Sequence, residues 1–267
     1  MLHECGILHI QNNQRGVPVQ RNEELARFYF QLASESRLGI LGELERKSLR
    51  MQEIAQKQNL TNTEVCRQLQ NLSEALLIQK QPDGQYSLTN YGRLVLELSP
   101  AMQLAFKHRQ YFLMHDFKRL PQSFISRLGE LSKATLITEL AEGINALAEM
   151  LKRSEQEIWL MSDQIIEGNS HLIAQRIAAG INLRSLVHER VLESPLLSIT
   201  TGNNVERRAL PDIPGTIIIT EKEAVVSLYT LGGKTDYTAF AGSDPAFIKW
   251  ARDLFNHYWE QGEQIYP

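Results

Sequence analysis

The sequence predicts an α+β / α/β protein in two parts: an N-terminal winged helix-turn-helix, a helical linker, and a C-terminal α/β domain. Three observations predict it. Residues 22–99 hold amphipathic helical runs, followed by two short alternating runs around Pro82-Asp83-Gly84. Residues 100–133 form a broken, aromatic-rich helical stretch opened by Ser99-Pro100. From residue 134 to 267, apolar runs of strand length alternate with helical segments. Residues 1–21 stand apart as an N-terminal extension without a clear period.

In that extension "LHECGILHI" reads as a short strand or an ordered tail. His3, Cys5 and His9 are metal-capable types, but they lack a second half-site, so no metal is expected. Asn22 reads as the N-cap of a helix over "EELARFYFQLASES", with Leu25, Phe28, Tyr29 and Leu32 at helical spacing. Ser34 or Ser36 caps "RLGILGELERK", whose inward stripe is Leu38, Ile40, Leu41 and Leu44. "SLRMQEIAQKQNL" gives a short helix with Ile54 and Ala55 facing in. Thr61 is a good N-cap for the next helix, and Glu64, three residues on, completes a capping box. Val65, Leu69, Leu72 and Leu76 are its buried stripe. Pro82-Asp83-Gly84 then makes a tight turn between two short strands, and "YGRLVLEL" is a closing helix.

This order places the helix from Thr61 where a winged helix-turn-helix puts its major-groove element. The face opposite the apolar stripe carries amides, hydroxyls and one Arg rather than Lys and Glu. Asn and Gln pair a donor with an acceptor and read adenine, Arg reads guanine, and Thr contacts a phosphate or a thymine methyl. The candidate DNA-binding residues are therefore Thr61, Asn62, Thr63, Arg67, Gln68 and Asn71, with Lys80 and Gln85 on the wing within reach of the backbone. The competing reading is a winged-helix protein-interaction module, since acids and bases balance over residues 1–100. Cys66 lies inside this helix and reads as a small hydrophobe rather than a redox switch.

Pro100 starts a helix over "AMQLAFKHRQYFLMHDFKRL", which Pro121 breaks. "QSFISRLGEL" adds another short helix that Gly129 terminates. His108 and His115 read as packed or interfacial imidazoles. Such connecting helices commonly carry dimer contacts, and paired DNA half-sites require a homodimer. Next, "TLITELAEGINALAEMLKRS" reads as one amphipathic helix through Ile137, Leu140, Ile144, Leu147 and Leu151. "EIWLMSD", an Asn169-capped helix stopped by Gly180, and "INLRSLVHE" form a parallel βαβ unit. "VERRAL", "GTIIIT" and "AVVSLYTL" are three further strands. Asp244-Pro245 opens a last helix that buries Phe247, Trp250, Leu254 and Tyr258.

In an open α/β sheet a ligand sits beyond the carboxyl ends of the parallel strands. Ser162 and Asp163 end one strand; His188, Glu189 and Arg190 end the other. Of Arg207 and Arg208 only one side chain points inward. The candidate ligand-binding residues are Ser162, Asp163, His188, Arg190 and Arg208, with Asp236 and Tyr237 nearby, and the partner is a small-molecule effector. "LGGK" lacks the full spacing of a phosphate loop, and no cofactor is expected.

The net charge of −3 excludes a globally basic footprint, so any DNA contact must be local. Two cysteines, Cys5 and Cys66, exclude a disulfide framework and suit a reducing compartment. The chain carries no apolar run of membrane length and no leader pattern, so a cytoplasmic location without membrane contact is expected.

The wing with "YSLTNYG", the stretch "HDFKRLPQSFISRLGEL" and the ending "DPAFIKWARDLFNHYW" resemble the archaeal winged-helix transcription regulators of the methanogenesis-regulator type. The resemblance covers about residues 25–262. It implies a phospholipase-D-like C-terminal domain that senses a signal rather than cleaving lipid, DNA binding as a dimer, and regulation by an effector. Phospholipase-D chemistry needs a His nucleophile with Lys two residues later. No His-x-Lys occurs, and His188 is followed by Glu189 and Arg190. A phosphodiesterase is therefore the lesser alternative, and no catalytic residue is assigned.

Overall fold

A computed structural model describes residues 19–165 and 167–265, so the N-terminal "LHECGILHI" with His3, Cys5 and His9 lies outside the described residues. The chain forms two compact units, Met1–Glu97 and Leu98–Pro267. Among the described residues no helix is long and apolar enough to cross a membrane.

The first unit runs α1 (Val19–Leu32), α2 (Glu35–Arg46), α3 (Met51–Gln58), α4 (Asn62–Glu74), β1 (Ile78–Lys80), β2 (Tyr86–Leu88) and α5 (Asn90–Leu98). Ser34 caps α2 by accepting from the Arg37 N–H. Helix α1 starts at Val19, so Asn22 is an interior helical residue rather than its cap; nothing between Val19 and Asn22 breaks a helix. The apolar stripes meet in one core: Ile40, Leu41 and Leu44 of α2, Ile54 of α3, Val65, Leu69 and Leu72 of α4, and Ile78 and Leu88 of the wing. Burying each such side chain stabilises the unit by about 1.5–3 kcal/mol. The expected Leu76 is exposed, because α4 ends at Glu74 and Leu76 adopts positive φ. The wing strands pair antiparallel, with Lys80 opposite Tyr86. Gly84 takes φ +84° in their turn, where a side chain is disfavoured. Leu49 exchanges two backbone hydrogen bonds with Tyr86, which pins the wing to the start of α3.

The second unit opens with α6 (Pro100–Lys107), α7 (Arg109–Met114) and α8 (Gln122–Ile125). It continues through β3 (Thr135–Ile137), α9 (Leu140–Arg153), β4 (Glu157–Ser162), α10 (Glu167–Ala178) and β5 (Asn182–His188). It closes with β6 (Val205–Leu210), β7 (Gly215–Thr220), β8 (Ala224–Leu228), β9 (Ala239–Gly242), α11 (Pro245–Trp259) and β10 (Glu263–Gln264). The sheet order is β10-β6-β5-β4-β7-β8-β9-β3. Strands β4, β5 and β6 are parallel and the remaining pairings antiparallel. The β4-α10-β5 unit is the expected parallel crossover, and α10 stops before Gly180 at φ +94°. Helix α11 is capped by Asp244, which accepts from the Ala246 N–H.

Strand alternation gives the sheet two apolar faces. Ile158, Leu183 and Ile218 pack with Met150 and Leu151 of α9 and Ile173 and Ile177 of α10. Trp159, Met161, Leu186, Ile217 and Ile219 pack on the other side with Trp250, Leu254 and Phe255 of α11.

Thr135–Ile137 is a strand rather than the start of α9, because it pairs with β9 through Thr135↔Ala241. Asn169 lies inside α10, which starts at Glu167, so it is not that helix's cap. Gly129 sits within a 3₁₀ turn, Leu128–Leu131, and terminates nothing. The stretch 100–133, expected as a linker, is built into the second unit's core through Leu104, Tyr111, Leu120, Phe124 and Leu131. Its polar atoms are anchored there too: the Trp250 indole N–H donates to Phe124 O at 3.2 Å, the Tyr258 hydroxyl donates to Arg119 O at 2.7 Å, and the Leu228 N–H donates to the Tyr111 hydroxyl at 2.9 Å. His115 is buried as expected of a packed imidazole, stacked on Tyr111 with ring centroids 3.7 Å apart.

Candidate nucleic-acid interface and a buried cavity

Helix α4 owes its start to local chemistry. The Thr61 hydroxyl accepts from the Glu64 N–H at 3.3 Å, and the Glu64 carboxylate accepts from the Thr61 N–H at 2.9 Å. The Thr61 hydroxyl also donates to that carboxylate at 2.8 Å. These hydrogen bonds, with Arg67 nearby, hold the Glu64 carboxyl below its ordinary value. Glu64, which would face phosphates poorly, is thereby engaged by the cap and partly offset by Arg67.

Thr61, Asn62, Thr63 and Arg67 are exposed, and Asn71 is half-buried. Gln68 is not available for base reading: it is buried, and its Oε1 accepts from Arg37 Nη1 at 3.0 Å. The reason is angular. Gln68 lies three residues after Val65 and four before Leu72, within the buried arc of a 3.6-residue period. The exposed amide on the outer face is Gln70, whose Nε2 donates to Glu74 Oε1 at 2.9 Å. Counting helical angle from Val65 would have found it. Cys66 is exposed on this face as well, rather than packed as a hydrophobe. On the wing Lys80 is exposed, with its ammonium 5.9 Å from the Tyr86 ring centre, and Gln85 is half-buried beside the turn.

In the second unit the residues at the strand ends come together only in part. Asp163 is fully buried and pairs with the Arg190 guanidinium, whose Nε also donates to Asp163 O at 3.3 Å. The Thr235 hydroxyl donates to Asp163 Oδ1 at 3.4 Å. His188 accepts from the Arg190 N–H through Nδ1 at 3.1 Å, which caps the short turn that follows β5. Asp163, His188 and Arg190 are thus engaged with one another and with Thr235, and none of the three lines the cavity described below. Arg208 faces the α11 side, 4.8 Å from the Trp259 ring centre and donating to Trp259 O at 2.8 Å. Strand alternation puts Arg207 on the opposite face. There it donates to Thr200 O and Oγ1 at 2.8 Å and to Leu197 O at 3.3 Å, holding the Pro195–Ile199 turn in place. Burial presses against the charged form of Arg207.

That face of the sheet carries a cavity of about 120 Å³ beneath α9 and α10. Leu140, Ile144 and Leu147 of α9 and Ile173 of α10 wall it, and Leu197 and Thr200 close one side. Ser162, Ser185, Thr216 and Ser227 lie along its floor, and Gln164, Thr235 and Tyr237 stand at its edge. Of the expected ligand residues Ser162 lines it, as does the further candidate Tyr237; Asp163, His188, Arg190, Arg208 and Asp236 do not. The sequence reading missed this cavity, whose lining is mostly apolar. The Tyr237 hydroxyl donates to Gln164 Oε1 at 2.8 Å, joining the β8–β9 connection to the end of β4.

Residues 25–106 match the family described as the HVO_A0261 N-terminal domain. Residues 141–261 match the family described as the middle domain of the methanogenesis regulatory protein FilR1. No curated protein matches. Among solved structures the chain is similar to TrmBL2, an archaeal chromatin protein with a novel mode of DNA binding. The two are 17% identical over 92% of this chain and 100% of that chain, with a TM-score of 0.42. Nuc of Salmonella typhimurium, a phospholipase D family member, is 12% identical over 51% of this chain and 100% of that chain, at a TM-score of 0.41. NucT of Helicobacter pylori is 11% identical over 50% and 99%, also at 0.41.

Proposed function

The chain belongs to the archaeal regulators of the methanogenesis-regulator type, and from that premise we propose that it is a sequence-specific, dimeric DNA-binding transcription regulator whose second unit senses a small molecule. The observation that carries the proposal is the outer face of α4. Asn62, Thr63, Arg67 and Gln70 are all exposed on a helix whose N-terminus is capped, followed directly by a wing with an exposed Lys80. Amide and guanidinium groups there match the donor and acceptor pattern of the major groove. Leu25 and Tyr29 of α1 and Tyr91 and Leu94 of α5 remain exposed, which suits a surface covered by a second copy. The effector site is the cavity beneath α9 and α10, and the protein works in the cytoplasm.

The second unit is taken as phospholipase-D-like in fold but without hydrolase activity. No His-x-Lys occurs in the sequence, and Arg190, two residues after His188, is committed to Asp163. A mobility shift with duplex DNA from the chain's own upstream region tests the proposal. Arg67→Ala removes the preference for that sequence over random DNA. Lys80→Ala weakens binding to all sequences and lowers the salt slope by about one. Duplex binding indifferent to both changes would favour the protein-docking reading.

A further inference from the structure

We infer that the cavity beneath α9 and α10 takes a small uncharged molecule, mostly hydrocarbon, that carries one hydroxyl or carbonyl oxygen. This rests on the reading of the second unit as a sensor and adds the chemistry of what it senses.

Among the described residues lining the cavity there is no Asp, Glu, Lys, Arg or His. An ionised ligand would lose its hydration there without a counter-charge, which strongly disfavours it. The charged groups nearby do not line the cavity themselves: buried Asp163 pairs with Arg190, and the Arg207 guanidinium donates to Thr200 O and Oγ1 behind the cavity wall.

Thr216 of β7 pairs in register with Ser227 of β8, and the Ser162 hydroxyl of β4 lies 3.5 Å from that of Thr216. Three neighbouring strands thus present a row of hydroxyls on one face. Two of them are spoken for: Ser162 donates to Gln164 O at 2.9 Å, and Ser227 donates to Thr238 O at 2.8 Å. Ser185 of β5 shares the floor and is 2% exposed, yet its hydroxyl makes no hydrogen bond among the described residues. Buried hydroxyls are normally paired. A ligand oxygen over β4 and β5 completes Ser185. The apolar side chains of α9 and α10 then enclose the hydrocarbon part.

An apolar cavity of roughly 150 Å³ holds benzene, so about 120 Å³ sets an upper size of about six carbons, and a ring of that size enters only as the apolar walls give slightly.

The test uses the full chain and three probes of one shape: cyclohexanol, cyclohexanecarboxylate and cyclohexylammonium. Binding is read by calorimetry and by the rise in Tm with concentration. Cyclohexanol is expected to bind and to raise Tm, and the two ions are not. Ser185→Ala should weaken cyclohexanol about tenfold, the order of one lost hydrogen bond. Gly143→Leu should abolish it: a Cβ at Gly143 meets its first neighbours only at 3.8 and 3.9 Å, so the added side chain enters the cavity rather than clashing at its root. Should that variant not fold, Ser185→Ala against wild type carries the test alone. Equal binding of the carboxylate or the ammonium, with loss in Gly143→Leu, overturns the chemistry assigned here and leaves the sensor reading standing. Failure of all three probes to bind also overturns it. Whether a small-molecule extract of the source cells changes the DNA mobility shift then decides the sensor reading separately.

Discussion

The Arg37 guanidinium donates through Nη1 to Gln68 Oε1 at 3.0 Å, through Nη2 to Phe30 O at 2.6 Å and through Nε to Gln31 O at 2.6 Å. One buried cation thus ties the C-terminal carbonyls of α1 to the middle of α4. A cation at a helix C-terminus is also favoured by the helix dipole. Gln68→Ala leaves one arm of that guanidinium unpaired, and the expected cost is about 1–3 kcal/mol. Arg67→Ala, on the exposed face, should change stability by no more than about 0.5 kcal/mol. Urea unfolding of the two variants beside DNA titrations separates the roles. Gln68→Ala lowers the midpoint and leaves sequence preference in the folded fraction intact, whereas Arg67→Ala does the reverse.

The Gln68 position also marks where sequence reasoning stops working. Local chemistry was legible: Thr61 with Glu64, Pro82-Asp83-Gly84 and Asp244-Pro245 each carry their structure in three or four consecutive residues. Gln68 was not, because a polar residue within an apolar stripe reads as outward until its buried partner, Arg37, is known. Thr135–Ile137 continues the helical spacing of α9, and only its pairing with Ala239–Ala241, a hundred residues on, makes it a strand. The choice between Arg207 and Arg208 depends on strand phase, which β5 sets through Leu186↔Arg208. The cavity arises from six strands and two helices at once, and no single stretch announces it.

The capping box predicts an acid response. Hydrogen bonds from Thr61 hold the Glu64 carboxyl below its ordinary value of 4.5. A folded value lowered in this way stabilises the helix start above the unfolded value, and that contribution is lost as pH falls through the folded one. Thr61→Ala should cost roughly 1 kcal/mol at neutral pH. Its difference from wild type should shrink as pH falls from the ordinary value of 4.5 through the lowered folded one. Urea midpoints of both proteins across that range check the sign.

Gly92 is expected to tolerate no side chain. A Cβ there would lie 2.0 Å from Leu77 O, so α5 packs directly on the backbone that leads into the wing. The Thr89 hydroxyl fixes the same junction by donating to Leu76 O at 2.6 Å and accepting from the Gly92 N–H at 2.9 Å. Gly92→Ala should destabilise by about 1–3 kcal/mol through overpacking. Thermal unfolding measures it, and a neutral result would mean that α5 is free to move off the wing.

Gly143 should behave in the opposite way. It sits inside α9, takes no positive φ, and a Cβ there meets only Ile137 Cγ2 at 3.8 Å and Tyr237 O at 3.9 Å, both ordinary contacts. Gly143→Ala removes backbone freedom from the unfolded chain and should add about 0.5–1 kcal/mol. A loss of stability would show that α9 approaches the sheet more closely than these distances state.

Asp163 and Arg190 were expected to hold a ligand, and their geometry makes them a structural pair instead. The Asp163 side chain is fully buried while Arg190 remains about half exposed, so the cation shields the carboxylate from one side. Arg190→Ala strands a buried negative charge. Complete burial of both partners would make that loss about 3–5 kcal/mol, and solvent at Arg190 reduces it to roughly 1–3 kcal/mol. Asp163→Asn in the same chain removes the stranded charge and should recover a good part of the loss, a coupling that a double-mutant cycle reads directly. If the two changes are additive in stability while Arg190→Ala alone abolishes effector response, Arg190 acts on the ligand and the pairing is incidental.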